Sequence, residues 1–181
     1  MSSSRYALVA YVRQPVGEFV ENLRRELHPV TAHMPAHLTV LPPRRLQGSE
    51  RAALDFLEEA CSQVVPFDVE LGGVTTFLPA TPTVFIEVLG AARMRELHEQ
   101  FSVNALCCEE EWPYVPHLTI IKTEEDQQAR DAVDLARKRW TEFNGPRQIH
   151  VDELMFVREV NSVWHDVAPF PLGRSLLSPR P

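Results

Sequence analysis

Residues 35–41 read Pro-Ala-His-Leu-Thr-Val-Leu, and residues 115–121 read Val-Pro-His-Leu-Thr-Ile-Ile. Both stretches carry His-Leu-Thr before a β-branched residue, with a proline just upstream, and each sits in its own half of the 181-residue chain. Side chains alternate across a strand. His37 and Thr39 therefore share one face, while Leu38 and Val40 share the other. His117 and Thr119 oppose Leu118 and Ile120 in the same way. The apolar face suits packing on a helix, and the polar face is left for a groove.

The rest of the chain repeats around these two phrases. Arg5–Arg13 reads as a strand, and Val16, Phe19, Val20, Leu23 and Leu27 keep helical spacing over 16–27, with Pro29 as the stop. The strand His37–Leu41 is expected to close at Pro42-Pro43. Leu54, Leu57, Cys61 and Val64 mark a helix over 50–64. Phe67–Phe77 and Thr83–Leu89 read as strands joined by a turn that contains Pro79 and Pro82. Met94, Leu97, Phe101 and Ala105 give the next helix, followed by the strand His117–Lys122. Thr123, with Asp126 after it, resembles a capping box for a helix marked by Ala129, Val133, Ala136, Trp140 and Phe143. Strands Ile149–Val157 and Ser162–Val167 close the pattern.

Each His-Leu-Thr strand is thus followed by a helix and then a strand pair, which is a duplication of organisation. It predicts an α+β fold: two mostly antiparallel sheets, helices on their outer faces, and a shared central groove. Residues 1–181 are expected as one domain of two pseudo-symmetric lobes built from interleaved segments.

Composition narrows the function classes. The chain is 44% hydrophobic and 24% charged, with a formal net charge of −7, which suits a folded domain with a real core. Long nucleic acids are gripped by basic stripes that neutralise phosphates. No such stripe is present, so no long nucleic acid is expected as a partner. The apolar run Tyr6 to Val12 is too short to span a bilayer, and no membrane association is expected. Three cysteines, with Cys107 and Cys108 adjacent, form neither a disulfide framework nor a zinc spacing. A cytoplasmic monomer is the expectation. No G-x-x-x-x-G-K-[ST] loop is present to cradle a triphosphate.

Two histidines and two hydroxyls facing each other across a groove suit phosphodiester cleavage without a metal or other cofactor. Histidine titrates near neutrality, so one ring can take a proton while the other gives one. Each can contribute about 10²–10⁴ in rate. A threonine hydroxyl can hydrogen-bond a non-bridging phosphate oxygen and hold phosphorus for in-line attack. A zinc site on both histidines would need a further ligand, and nothing at ligand spacing marks one. The rival reading is a nucleotide-binding regulatory module that keeps the groove but has little turnover.

The two His-x-Thr-x motifs, their spacing and the element order resemble the 2H phosphoesterase superfamily, which includes 2′-5′ RNA ligase-like proteins and RNA 2′,3′-cyclic phosphodiesterases. The resemblance covers nearly the whole chain, and Leu71-Gly-Gly-Val-Thr-Thr-Phe77 looks like the family's middle strand. It implies a bilobal α+β fold, with the motif histidines and threonines at His37, Thr39, His117 and Thr119. It also implies action on a 2′,3′-cyclic phosphate of a small nucleotide or RNA 3′ end, or on a related cyclic or 2′-5′ phosphodiester. Ligation is formally the reverse reaction, and hydrolysis should dominate in water. Some bacterial RNA-processing relatives carry an arginine shortly after the second motif, where this chain reads Ile121-Lys122-Thr123. Lys122 supplies a point charge there, not a planar fork. With the acidic balance, this leaves a smaller substrate open.

Further candidates are fewer. Tyr11 and Phe77 are the aromatic side chains best placed for a nucleobase, beside Trp112, Tyr114 and Trp164 for core packing. His33 could edge the site, while His28, His98, His150 and His165 read as surface or capping residues. Glu109-Glu110-Glu111 reads as a solvated loop, since consecutive carboxylates do not converge on one ion without a special turn.

Overall fold

The computed structural model describes residues 4–27 and 35–173, so His28, Pro29 and His33 lie outside the described residues. Eight strands and four α-helices follow in the order β1 (Arg5–Tyr11), α1 (Val16–Leu27), β2 (His37–Arg44), α2 (Glu50–Ser62), β3 (Phe67–Thr76), β4 (Thr83–Leu89), α3 (Ala92–Phe101), β5 (His117–Lys122), α4 (Asp126–Glu142), β6 (Gln148–Val151), β7 (Glu153–Val160) and β8 (Val163–Pro171). A 3₁₀ turn, Asn104–Leu106, follows α3.

All strand pairs are antiparallel. β6-β3-β4-β5 form one half and β2-β1-β7-β8 the other. The two sheets expected from the sequence are joined at the rung Leu38–Leu118 into one curled, eight-stranded sheet. Helices α1 and α4 pack behind β3, β4 and β5, while α2 and α3 pack behind β8 and β2. Each half is thus covered by helices that come from both halves of the sequence.

The alternation in the motif strands explains this covering. Leu38, Val40, Leu118 and Ile120 are completely buried in the main core, beneath the helices. The opposite face has a small apolar cluster of Ala7, Val9 and Val157, edged by Tyr11, Met155 and Trp164. His37, Thr39, His117 and Thr119 alternate with the buried leucines and stay only half-buried. The core therefore fixes which way the polar side chains point.

Three local expectations are revised. β2 does not stop at Pro42-Pro43 but runs through them to Arg44. Its register with β1 shifts just there, between Tyr6–Arg44 and Leu8–Leu41. Prolines fit such a position because the ladder is already interrupted. The capping box at Thr123 is absent: Glu125 is the N-cap of α4 and makes no side-chain cap. The Thr123 hydroxyl instead donates to the carbonyls of Pro82 and Glu125, at 3.1 and 3.0 Å. The expected strand 149–157 divides at Asp152, so that β6 pairs with β3 and β7 with β1. β3 and β1 belong to different halves of the sheet, and one break lets the chain serve both.

Candidate active site

The two histidines are held in the same way. His37 Nδ1 lies 2.7 Å from the Pro35 carbonyl, and His117 Nδ1 lies 2.7 Å from the Val115 carbonyl. A carbonyl only accepts, so each Nδ1 carries the proton and donates it. Each Nε2 is left as the nitrogen that can take or give a proton. The upstream backbone thereby selects one tautomer at both motifs.

Burial lowers both histidine pKa values below the ordinary range. For His37 the backbone bond to Pro35 opposes this, and the positive charges of Arg24 and His117 add to it. For His117 the bond to Val115 opposes the burial. The two rings are close enough for their charges to be felt, so the state with one ring protonated is favoured over that with both.

The rung Leu38–Leu118 sets the motifs side by side in antiparallel register. That register places His37 towards Thr119 and Thr39 towards His117. A cavity of about 720 Å³ opens beside this crossing, with Thr39, His117, Thr119 and Lys122 in its wall. His37 is not in the wall itself but stands on the same strand face as Thr39, two residues back. All four motif residues expected from the sequence are therefore brought to one place.

The other candidates divide. Phe77 lines the cavity, stacks on Phe85 at 4.0 Å and meets the His117 ring edge-on at 4.8 Å. Lys122 also lines it and pairs with Thr83 in the ladder. Tyr11 is the direct ladder partner of His37, and its hydroxyl donates to the Asp166 carboxylate. Burial raises the Tyr11 pKa well above the usual phenol range, so it remains a hydroxyl at neutral pH. Glu87 is the ladder partner of His117.

Sequence reading missed the supports behind the motifs. Beyond the single rung, the edges of β2 and β5 need other partners for their carbonyls. Arg24 on α1 donates from Nη2 to the Thr119 carbonyl at 2.6 Å and from Nε to Ile120 at 2.8 Å. On the other strand, the Tyr114 hydroxyl donates to the Thr39 carbonyl at 2.7 Å, and His98 Nδ1 to Val40 at 2.8 Å. The His98 and Tyr114 rings stack, with centroids 3.9 Å apart.

Arg44 is the other surprise. Its side chain is 1% exposed and pairs with Glu110. Arg44 also donates to the carbonyls of Pro42 and Leu106 and to the Ser102 hydroxyl. Glu110 in turn lies 3.3 Å from His98 Nε2. The acidic loop is therefore not simply solvated: its middle carboxylate anchors the cavity wall. His98 is part of that anchor and not a surface residue. A lone Arg after two prolines, paired across many intervening residues, leaves no local pattern to read. His150 meets Asp68 at 2.8 Å on the exposed β3–β6 edge, away from the cavity.

Among the described residues no group of three or more His, Cys, Asp or Glu side chains is arranged to hold a metal ion. Nor, among them, is any helix long and apolar enough to cross a membrane.

Comparison with known proteins finds relatives of this chain and of its fold. A family model described as the 2'-5' RNA ligase superfamily matches residues 12–162. A curated protein of Halalkalibacterium halodurans, named "Putative phosphoesterase", is 24% identical over 170 residues, which is 93% of this chain and 98% of that protein. Escherichia coli LigT complexed with ATP superposes with a TM-score of 0.61 at 16% identity, covering 94% of this chain and 98% of LigT. LigT complexed with 3'-AMP gives 0.60 at 15% identity, covering 96% and 100%. TT0787 of Thermus thermophilus gives 0.63 at 19% identity, covering 93% and 98%.

Proposed function

On the premise that this chain belongs to the 2′-5′ RNA ligase superfamily of 2H phosphoesterases, we propose that it hydrolyses a 2′,3′-cyclic nucleotide phosphate. A related cyclic or 2′-5′ phosphodiester would fit the same chemistry. The observation that carries this reading is the matched pair of Nδ1–H bonds to Pro35 and Val115. They leave two Nε2 atoms, in similar settings, for opposite proton transfers.

In the proposed step, one neutral imidazole takes a proton from water as the oxygen attacks phosphorus in line. The new P–O bond forms while the bond to one ribose oxygen breaks. The second ring, protonated, gives its proton to that leaving oxygen. The product is a nucleoside monophosphate, and the pair ends with its protons exchanged. Thr39 and Thr119 donate hydroxyl hydrogen bonds to the non-bridging oxygens, where negative charge is held through the step. Lys122 is the cation of the wall that can approach the phosphate, and Phe77 keeps the His117 ring in place. Substrate contacts by Tyr11 and Phe77 belong to this proposal too. LigT has been crystallised with 3'-AMP, which supports a small nucleotide as the occupant here.

Phosphorus NMR of a 2′,3′-cyclic mononucleotide with the protein in EDTA tests the reading. Wild type should give one monophosphate isomer, and His37→Ala and His117→Ala should each lose the conversion. Nucleotide binding without any product would favour a regulatory module instead.

A further inference from the structure

We propose that Glu109 and Glu111 make the groove a charge filter, so that the diester it accepts carries one negative charge and joins to an uncharged organic group. This rests on the reading above and names its substrate class.

Among the described residues that line the cavity, the Lys and Arg side chains are Arg44 and Lys122. Arg44 is committed: its side chain is buried and donates to Glu110, Ser102, Pro42 and Leu106. Its position inside the wall keeps it from a ligand phosphate. Lys122 is exposed. It stands at the end of the strand that carries His117 and Thr119. It can therefore accompany the reacting phosphate.

The opposing charges lie in the same wall. Glu109, Glu110 and Glu111 all line the cavity. Glu110 is neutralised by Arg44, whereas Glu109 and Glu111 are exposed and have no ion-pair partner among the described residues. A second phosphate on the ligand would find no lysine or arginine beyond Lys122 and the committed Arg44 among the described lining residues, and would meet the two exposed carboxylates of the open groove. Two carboxylates held close together beside the bound ligand disfavour a second negative charge on it. The neighbouring Trp112 is 57% exposed, and Pro113 and Val115 continue the wall. That uncharged surface suits a flat, neutral group, such as a nucleobase, on the diester.

The test compares 2′,3′-cyclic AMP with its 5′-phosphorylated analogue, in wild type and in Glu109→Gln/Glu111→Gln. The readout is the ratio of the two kcat/KM values, which cancels any general loss of folded protein. Wild type should favour the substrate without the extra phosphate by at least tenfold. The double variant should shrink that ratio at least fivefold, mainly through KM of the phosphorylated substrate. Raising salt should also narrow the wild-type ratio, because the screening length falls from about 10 Å at 0.1 M to about 3 Å at 1 M. Equal use of both substrates by wild type, or a ratio unmoved in the variant, would overturn the proposal. A parallel titration separates it from the reaction itself: Kd values for 3′-AMP and adenosine 3′,5′-bisphosphate are measured on the same proteins. If no cyclic substrate turns over, the hydrolysis reading falls while the Kd ratio still reads the filter. Equal Kd values in wild type, or no binding of either nucleotide, would overturn it by this route.

Discussion

Leu38 and Leu118 face each other across the single ladder rung between β2 and β5, and each is completely buried beneath the helices. That rung joins the two halves of the sheet. It also brings the motif side chains together, because His37 and Thr39 flank one leucine while His117 and Thr119 flank the other. Packing on one face thereby sets which side chains stand on the other.

This relationship makes Leu118→Ala a severe change. Deleting a fully buried leucine side chain costs about 2–5 kcal/mol. Urea denaturation should show a loss in that range, while Val115→Ala, at an exposed position, should stay within about 0.5 kcal/mol of wild type. A loss at Leu118 no larger than at Val115 would mean that the seam is not part of the folded core.

Burial lowers the pKa of both His37 and His117, and the sign of the pH response follows. The proposed working state has one ring protonated and one neutral. Raising the pH removes the remaining proton, and lowering it protonates both rings, so kcat/KM should be bell-shaped with its maximum below about pH 6.5, the ordinary histidine value. A rate that climbs steadily to pH 9 would sink the two-histidine scheme. The same shifts act on stability. A ring that binds its proton less tightly when folded weakens the fold as the pH drops through the ordinary histidine value. His37→Gln/His117→Gln should lose part of that acid sensitivity in thermal unfolding.

The motif threonines are expected to act through their hydroxyls. Their backbone carbonyls are already taken by Tyr114 and Arg24. Thr39→Val and Thr119→Val keep the shape and those backbone bonds while removing the donor. Loss of one donor to a charged phosphoryl oxygen should lower kcat about 10²–10³-fold. Circular dichroism should show an unchanged fold, and single variants with near wild-type kcat would assign the phosphate to other groups.

The anchor under the acidic loop should be felt in stability. Arg44→Met leaves Glu110 without its cation and strips donors from the Pro42 and Leu106 carbonyls. We expect a loss of about 3 kcal/mol, or roughly 6–12 °C in Tm for a domain of this size. Glu110→Gln keeps a hydrogen bond to Arg44 and should cost about 1 kcal/mol. Thermal melts that rank the two variants in the opposite order would show that the pair does not hold the wall.

Much was legible because periodicity reports how a side chain lies relative to its own backbone. The alternation in 37–40 and 117–120 separated His and Thr from Leu, Val and Ile, and the structure buries the second group completely. Helical spacing over 16–27 matched α1 residue for residue. The repeated phrase brought the four motif residues into consideration together, and the duplicated order implied antiparallel sheets under helices. Loop details were less legible. Thr123 had the capping pattern, but the Pro82 carbonyl competed for its hydroxyl.

The sequence by itself determined most of the elements, the faces of the motif strands and the histidines and threonines that share one of those faces. Tertiary structure alone decided that β6 and β7 part at Asp152 to join opposite halves of the sheet. It also decided that Arg24 and Tyr114 serve the motif carbonyls and that Arg44 buries itself against Glu110. The physical reason lies in what each level can specify. Local pattern sets the direction of a side chain, whereas the partner of a carbonyl or a buried charge depends on which distant segments meet when the backbone must satisfy every polar group it hides.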